Sequence, residues 1–391
     1  MRKRPHVSKG TNQTWMWLDA VLCTLFTFAV AGVLYLLFVN ISFFNAFEKA
    51  FRDFEFTDLY YAEAMEDRSI ADKIVLVNVQ KAERSEIAQA IEHVARQQPK
   101  VMALDLIFRD LRDPQTDSVL HAVLQRYPDI VTAYYKENGE VHQNHAYFNS
   151  KPEKAGFINL YPKANETVIR ETSLLEISGH GDTLYSFAAK IASEYDPDLL
   201  PDLLKFNASF PIDYTGNQDN FFTFDFDELD RDEPIPVMEG AIVMFGYLGT
   251  PTGSEFDIED KHFTPLNPEI TGKSAPDMHG VVIHANIVNM LVNKSLIFKL
   301  SSFWTYFLTA FVCFVAVFSG LKLHSRNLVF YDVLIKVMQL LFSILLIYLS
   351  LLLLKAGVLI AVTPMVIMAV LGLELVGVYK NMATYLQKKF L

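Results

Sequence analysis

Two groups of polar residues follow β-branched and aliphatic runs, and they are where this 391-residue chain could do chemistry. The first begins with Asp105, at the carboxyl end of the apolar run Val101–Phe108. It continues through Arg109, Asp110, Arg112, Asp113 and Asp117. Carboxylates and guanidinium groups placed there suit ligand binding, because ligands of open α/β sheets gather outside the carboxyl ends of strands. Asp117 has a structural alternative, as a cap or lead-in to the next helix. The second group is the glycine-rich stretch Gly246–Gly253, followed by Asp257, Glu259, Asp260, Thr264 and Pro265. Backbone amides of such a loop can cradle an anion. The stretch lacks the lysine and serine/threonine pair of a nucleotide loop and the spacing of a dinucleotide fingerprint. It therefore reads as a flexible ligand loop or a surface turn.

Other chemistries fit less well. His279 and His284 stand five apart, where a helical metal pair needs four, so no metal is expected. No serine occupies a nucleophile elbow, and His180-Gly181-Asp182 reads as a polar turn. No cofactor and no catalytic machinery are expected. The candidate ligand-binding residues are Asp105, Arg109, Asp117, Asp257, Asp260, Thr264 and His284.

The elements that must position these groups alternate. Lys73–Val79 is a continuous apolar strand of the kind buried on both faces. Ser85–Gln97 has helical spacing, Lys100–Phe108 is a second buried strand, and strand–helix–strand at this spacing predicts a parallel crossover. A helix over Thr116–Arg126, a strand over Ile130–Tyr135 and a short strand over Gly156–Leu160 extend the alternation. A helix over Leu184–Tyr195, a loop or helix end over Pro197–Asn207, a strand over Ala241–Tyr247 and a helix over Val281–Val292 complete it. The fold class is α/β, a mixed, mostly parallel sheet sandwiched by helices. Residues Phe43–Glu66 ahead of it read as a helical stalk.

Four apolar runs flank this domain: Leu18–Val39, Leu300–Leu321, Val333–Leu354 and Ala356–Tyr379. Each reaches the roughly 20 residues that cross a bilayer core of about 30 Å. Arg2, Lys3, Arg4 and Lys9 precede the first run, Lys322 and Arg326 follow the second, and Lys380, Lys388 and Lys389 close the chain. Basic flanks stay in the cytoplasm, so both termini are expected inside and the polar domain outside. The expected division is 1–17 cytoplasmic, 18–44 membrane anchor, 45–298 extracytoplasmic, 299–379 a three-helix membrane module and 380–391 a cytoplasmic tail. Lys336 and Glu374 fall inside the third and fourth spans at matched depth, where isolated charges are costly. They are expected to pair with each other or to contact a partner's helix. Pro364 is expected to kink the fourth helix.

The outside domain holds 22 basic and 42 acidic residues, a net charge near −20. That balance excludes broad nucleic-acid binding and favours solubility or a cationic ligand or partner. Both cysteines, Cys23 and Cys313, lie in apolar runs, so the domain has no disulfide and rests on its core.

Several of these segments carry a resemblance. Lys73–Val79, Val101–Phe108, Asp117-Ser118-Val119-Leu120, Ile242–Gly249, Asp260 with Thr264-Pro265, and above all Gly280-Val281-Val282-Ile283-His284-Ala285-Asn286 resemble the CHASE domain of the second type. The resemblance implies a sensor domain of bacterial transmembrane receptors, carried on the inner membrane and usually joined to a cytoplasmic kinase, cyclase or other effector. It carries over no binding residue with a known role. No effector follows the fourth span, so output is expected from a separate effector supplied in trans. The chain is thus expected to be a sensory or regulatory membrane subunit contacting lipid and forming a homo-oligomer. The alternative is a scaffold subunit of a larger cell-envelope complex. A hydrolase built on Asp105 and Asp260 lacks a nucleophile–base pair.

Overall fold

The computed structural model describes residues 9–39, 58, 60–61, 70–149, 151–163, 166–179, 181–204, 209–229, 233–254, 256–267, 275–326 and 328–390. The stalk expected over Phe43–Glu66, except for residues 58 and 60–61, and His180 lie outside them. The chain divides into two units, one of Met1–Phe51 with Phe298–Leu391 and one of Arg52–Ile297.

In the second unit, Ile74, Val75, Leu76 and Val77 are fully buried, so this strand is covered on both faces. It is β1 (Ala71–Asn78), and it joins β2 (Val101–Leu104), β3 (Val131–Glu137), β4 (Glu140–His142), β5 (Ala155–Phe157), β6 (Phe221–Phe224) and β7 (Ile242–Gly246) in one sheet. The order is β6-β1-β7-β2-β3-β4, with β5 also paired to β3. Every pairing is parallel except the β3–β4 hairpin. Glu171–Ser173 with Ser209–Pro211 and Leu175–Ile177 with Thr183–Tyr185 form separate small ladders.

Helices α2 (Arg84–Arg96) and α3 (Pro114–Arg126) cover one face. Their Ile87, Ile91, Val94, Leu120, Val123 and Leu124 pack with Val75, Val77, Leu104, Val243 and Phe245 of the sheet. Alternation sends Ile74, Leu76, Ile242 and Met244, also fully buried, to the other face. There α4 (Phe187–Tyr195) and α5 (Gly280–Asn293) pack on the strands and on each other. Three layers result.

Two boundaries expected in this unit need correction. The second strand ends at Leu104 rather than Phe108. Beyond it the Phe108 amide donates to Asn144 Oδ1 at 2.7 Å and the Phe108 carbonyl accepts from the His145 amide at 2.8 Å, so this segment leaves the sheet. Helix α4 starts at Phe187, because Ser186 caps it and Thr183–Tyr185 is extended.

The first unit holds α1 (Lys9–Val39), α6 (Ser302–His324), α7 (Tyr331–Lys355) and α8 (Thr363–Phe390). All four are long and apolar enough to cross a membrane. Helix α8 packs against the other three, and α1 also packs on α6. Small residues allow the close approach: a Cβ on Gly372 would lie 2.9 Å from Val317 Cγ2 and 3.2 Å from Cys313 Sγ. Phe298–Lys299 pairs in parallel with Val358–Leu359, in the segment between α7 and α8. Pro364 sits in the first turn of α8, where its missing N–H breaks no helical hydrogen bond, so it has no cause to kink the helix.

Candidate functional site

Arg84 opens α2, where a cation meets the positive end of the helix dipole and needs compensation. Asp117 supplies it. The two form a buried ion pair, and Arg84 Nη2 also donates to the Asp110 carbonyl at 2.5 Å. The guanidinium lies over the rings of Phe148 and Phe108, 4.9 and 5.7 Å from their centroids. Asp117 accepts from the Arg112 amide at 2.8 Å as well. Burial alone would raise its carboxyl; the Arg84 and Arg112 hydrogen bonds and charges hold it below the usual range. This clamp fixes the segment between β2 and α3 against the start of α2.

Beside the clamp is a cavity of about 590 Å³ at the carboxyl ends of β1 and β2. It is lined from the β1–α2 turn by Lys81, Ala82, Glu83, Arg84 and Ile87. From the other side come Leu106–Asp110, Arg112, Asp113 and Thr116. Its volume is in the range of small-molecule sites, about 300–1,000 Å³. The helix starts that border it are already capped. Glu83 and Glu86 form a capping box on α2, and Asp113 accepts from the amides of Gln115 (3.1 Å) and Thr116 (2.9 Å) on α3.

Next to the cavity, the loop after β7 is held by Asn78 at the end of β1. This fully buried side chain donates to the Gly249 carbonyl (2.9 Å) and Thr252 Oγ1 (2.6 Å) and accepts from the Leu248 amide (3.0 Å). Asp257 accepts from Tyr247 Oη at 2.5 Å and from the Thr250 amide at 3.1 Å. The Tyr247 hydroxyl, the Glu259 amide and the Thr250 amide hold its carboxyl below the usual range. Asp260 adopts a left-handed backbone, φ +57°, and its carbonyl accepts from the Gly280 amide. A Cβ on Gly280 would lie 3.2 and 3.3 Å from the Asp260 carboxylate oxygens, which explains the glycine at the start of α5. Burial pushes the Asp105 carboxyl well above its ordinary value, with Asp260 adding to the rise. Burial also pushes half-exposed Asp260 up to about 6, opposed by the Gly280 hydrogen bond and supported by Glu259.

The structure divides the sequence candidates. Arg109 lines the cavity, its Nη1 donating to Tyr135 Oη at 3.0 Å, and Asp105 precedes the lining segment. Asp117 lies behind the wall in the Arg84 clamp. Asp257 and Asp260 belong to the loop after β7. Thr264 turns inward, its amide and hydroxyl donating to Asp277 at 2.8 and 2.5 Å. Burial pushes Asp277 up to about 6 despite those bonds. His284 is buried on α5, 5.6 Å edge-on to Phe187, with no partner for Nδ1 among the described residues. Burial pushes its imidazole down to about 4, and His279 likewise.

Arg112 belongs to the polar cluster named from the sequence, whereas Lys81, Arg84 and Asn78 were not singled out by sequence reasoning. Two signals were available: a buried-strand run ending in asparagine, and an arginine in a helical first turn. In the membrane unit, Lys336 Nζ lies 2.5 Å from Glu374 Oε2, and Gln339 Nε2 donates to the same oxygen at 2.9 Å. A second ion pair, Lys380 with Asp19, joins α8 to α1, and Tyr379 Oη donates to Asp19 at 3.2 Å.

These features define a membrane protein in which an α/β domain with a small-molecule-sized cavity stands in sequence between apolar helices. The chain belongs to the CHASE2 domain family, whose model matches residues 20–321, from within α1 to near the end of α6. CHASE2 domains are sensor domains. No curated protein and no solved structure matches the chain.

Proposed function

We propose that this protein is a membrane-bound sensory or regulatory subunit whose α/β domain binds a small ligand and signals through its helices to a separate effector. The cavity of about 590 Å³ between the β1–α2 turn and the segment after β2 carries the reading. It is the right size, lies outside the carboxyl ends of β1 and β2, and occurs in a sensor-domain family. The basic flanks Arg2–Arg4, Lys322–Arg326 and Lys380–Lys389 support placing both termini in the cytoplasm and the domain outside an inner membrane. The test is thermal melting of the full chain in lipid nanodiscs against small-molecule fractions, with Ala82→Trp filling the cavity. A fraction should raise the melting temperature of the parent and not of the variant. Equal shifts in both would refute the cavity as the site.

The Lys336–Gln339–Glu374 group supports contact with a partner in the membrane, because both charged side chains are exposed on the helices. The same observation serves a second reading, a scaffold subunit of a cell-envelope complex. Pull-down in mild detergent and mass spectrometry separate the two: a kinase or cyclase favours the first, envelope machinery the second.

A further inference from the structure

The lining of the cavity carries more chemistry than its volume. Four cations face or flank it, Lys81, Arg84, Arg109 and Arg112, against three carboxylates, Glu83, Asp110 and Asp113. Most of the carboxylate side is already committed, since Glu83 closes the capping box of α2 and Asp113 caps α3. Arg84 is committed too, to Asp117 and two aromatic rings. What remains is unequal. Among the described residues Arg109 donates to a neutral hydroxyl, Tyr135 Oη. Neither Arg109 nor Arg112 forms an ion pair among the described residues. Lys81 meets Glu259 at 3.9 Å with both side chains largely in solvent, a contact worth little. Lys81, Arg109 and Arg112, the last also within reach of the Asp117 charge, thus stand against the single uncommitted carboxylate of Asp110, in a domain whose total charge is strongly negative. Apart from Thr116, the rest of the wall is apolar: Ala82, Ile87, Leu106, Ile107 and Phe108.

We propose that the cavity takes a small organic anion, with a carboxylate or phosphate group on Arg109, Arg112 and Lys81 and an apolar body against Ile87, Leu106 and Ile107. This rests on reading the cavity as the ligand site. Arginine suits the role because its planar fork meets two oxygens of a carboxylate or phosphate at once. The clamp on Arg84 has a consequence here. Its partners include the Asp110 carbonyl and, through Asp117, the Arg112 amide, so it holds the backbone that carries Arg109 and Arg112. A site prepared in this way loses less entropy on binding.

The test uses the full chain in nanodiscs of zwitterionic lipid and three probes of one shape: benzoate, benzamide and benzamidine. Thermal shift at millimolar concentration ranks them, and Arg109→Gln, Arg112→Gln and the cavity-filled Ala82→Trp follow. Benzoate should bind about tenfold or more tightly than benzamide, and each glutamine variant should weaken benzoate about tenfold with benzamide unchanged. Equal binding of all three probes, or preference for benzamidine, abolished by Ala82→Trp, overturns the anion and leaves a ligand cavity standing. Shifts from no probe, or shifts that persist in Ala82→Trp, overturn both.

Discussion

Asn286 is the most exacting residue of the Gly280–Asn286 stretch, and replacing it with alanine tests why. Its side chain is fully buried on α5. Nδ2 donates to the Gly216 carbonyl at 2.9 Å and to the Val282 carbonyl at 2.9 Å. Oδ1 accepts from the amides of Thr215 at 2.7 Å and Gly216 at 3.1 Å. Alanine leaves the Val282 carbonyl with its helical partner but strips three backbone groups at 215–216. An unmade buried hydrogen bond costs about 1–3 kcal/mol, and Thr215 lies at the lower end because it is only partly buried. The expected loss is about 3–5 kcal/mol, or roughly 6–20 °C in a unit of this size. Tryptophan fluorescence cannot read it, because all three tryptophans, Trp15, Trp17 and Trp304, lie in the apolar helices. Far-UV circular dichroism of the full chain in nanodiscs, with amide exchange of residues 209–217, can. Asn293→Ala on the exposed end of the same helix is the control, with an expected loss under about 1 kcal/mol. If Asn286→Ala cost no more than Asn293→Ala, or left exchange at 209–217 unchanged, the pinning argument would be wrong.

Further outcomes follow from other sites. His284 is neutral in the fold down to about pH 4 but protonates near pH 6.5 when unfolded, because burial lowers its pKa. The unfolded chain binds more protons in that window, so this term stabilises fully above pH 6.5 and is lost as pH falls toward 4. Raised Asp260 and Asp277 act in the opposite sense, so the readout is the difference from His284→Leu. The stability gap between parent and variant should narrow by roughly 1–3 kcal/mol from pH 7 to 4; a constant gap would count against a buried neutral imidazole. Glu374→Gln should weaken partner retention or assembly in mild detergent, and unchanged co-purification with unchanged melting would sink that role. The charge swap Lys336→Glu with Glu374→Lys should restore melting if the pair acts internally, and leave assembly impaired if a partner reads it.

The parallel sheet was legible because buried parallel strands are continuous apolar runs: Lys73–Val79 and Ala241–Tyr247 match β1 and β7 closely. The second strand was overread for the same reason. Leu106, Ile107 and Phe108 are as apolar as Val101–Leu104 but line a cavity, and composition cannot distinguish a neighbouring strand from a pocket wall. Edge strand β6 was invisible in the polar-flanked Phe221–Phe224, since its pairing with β1 depends on residues more than a hundred positions away. Arg109 could be placed near a ligand site from strand ends alone. Arg112 fell in the same cluster, but Lys81 and Arg84 could not be placed, because which cations the fold neutralises is settled by the Arg84–Asp117 clamp.

The clamp also bears on where a ligand can bind. In open α/β sheets the crevice forms where adjacent strands lead to opposite faces, here between β1, which leads to α2, and β7, which leads to α5. That crevice is closed: Asn78 ties the loop after β7 across the end of β1 by Leu248, Gly249 and Thr252. The open volume is displaced one step toward α2 and α3, where the segment after β2 turns out of the sheet early. The premature end of β2 and the closed crevice therefore belong together.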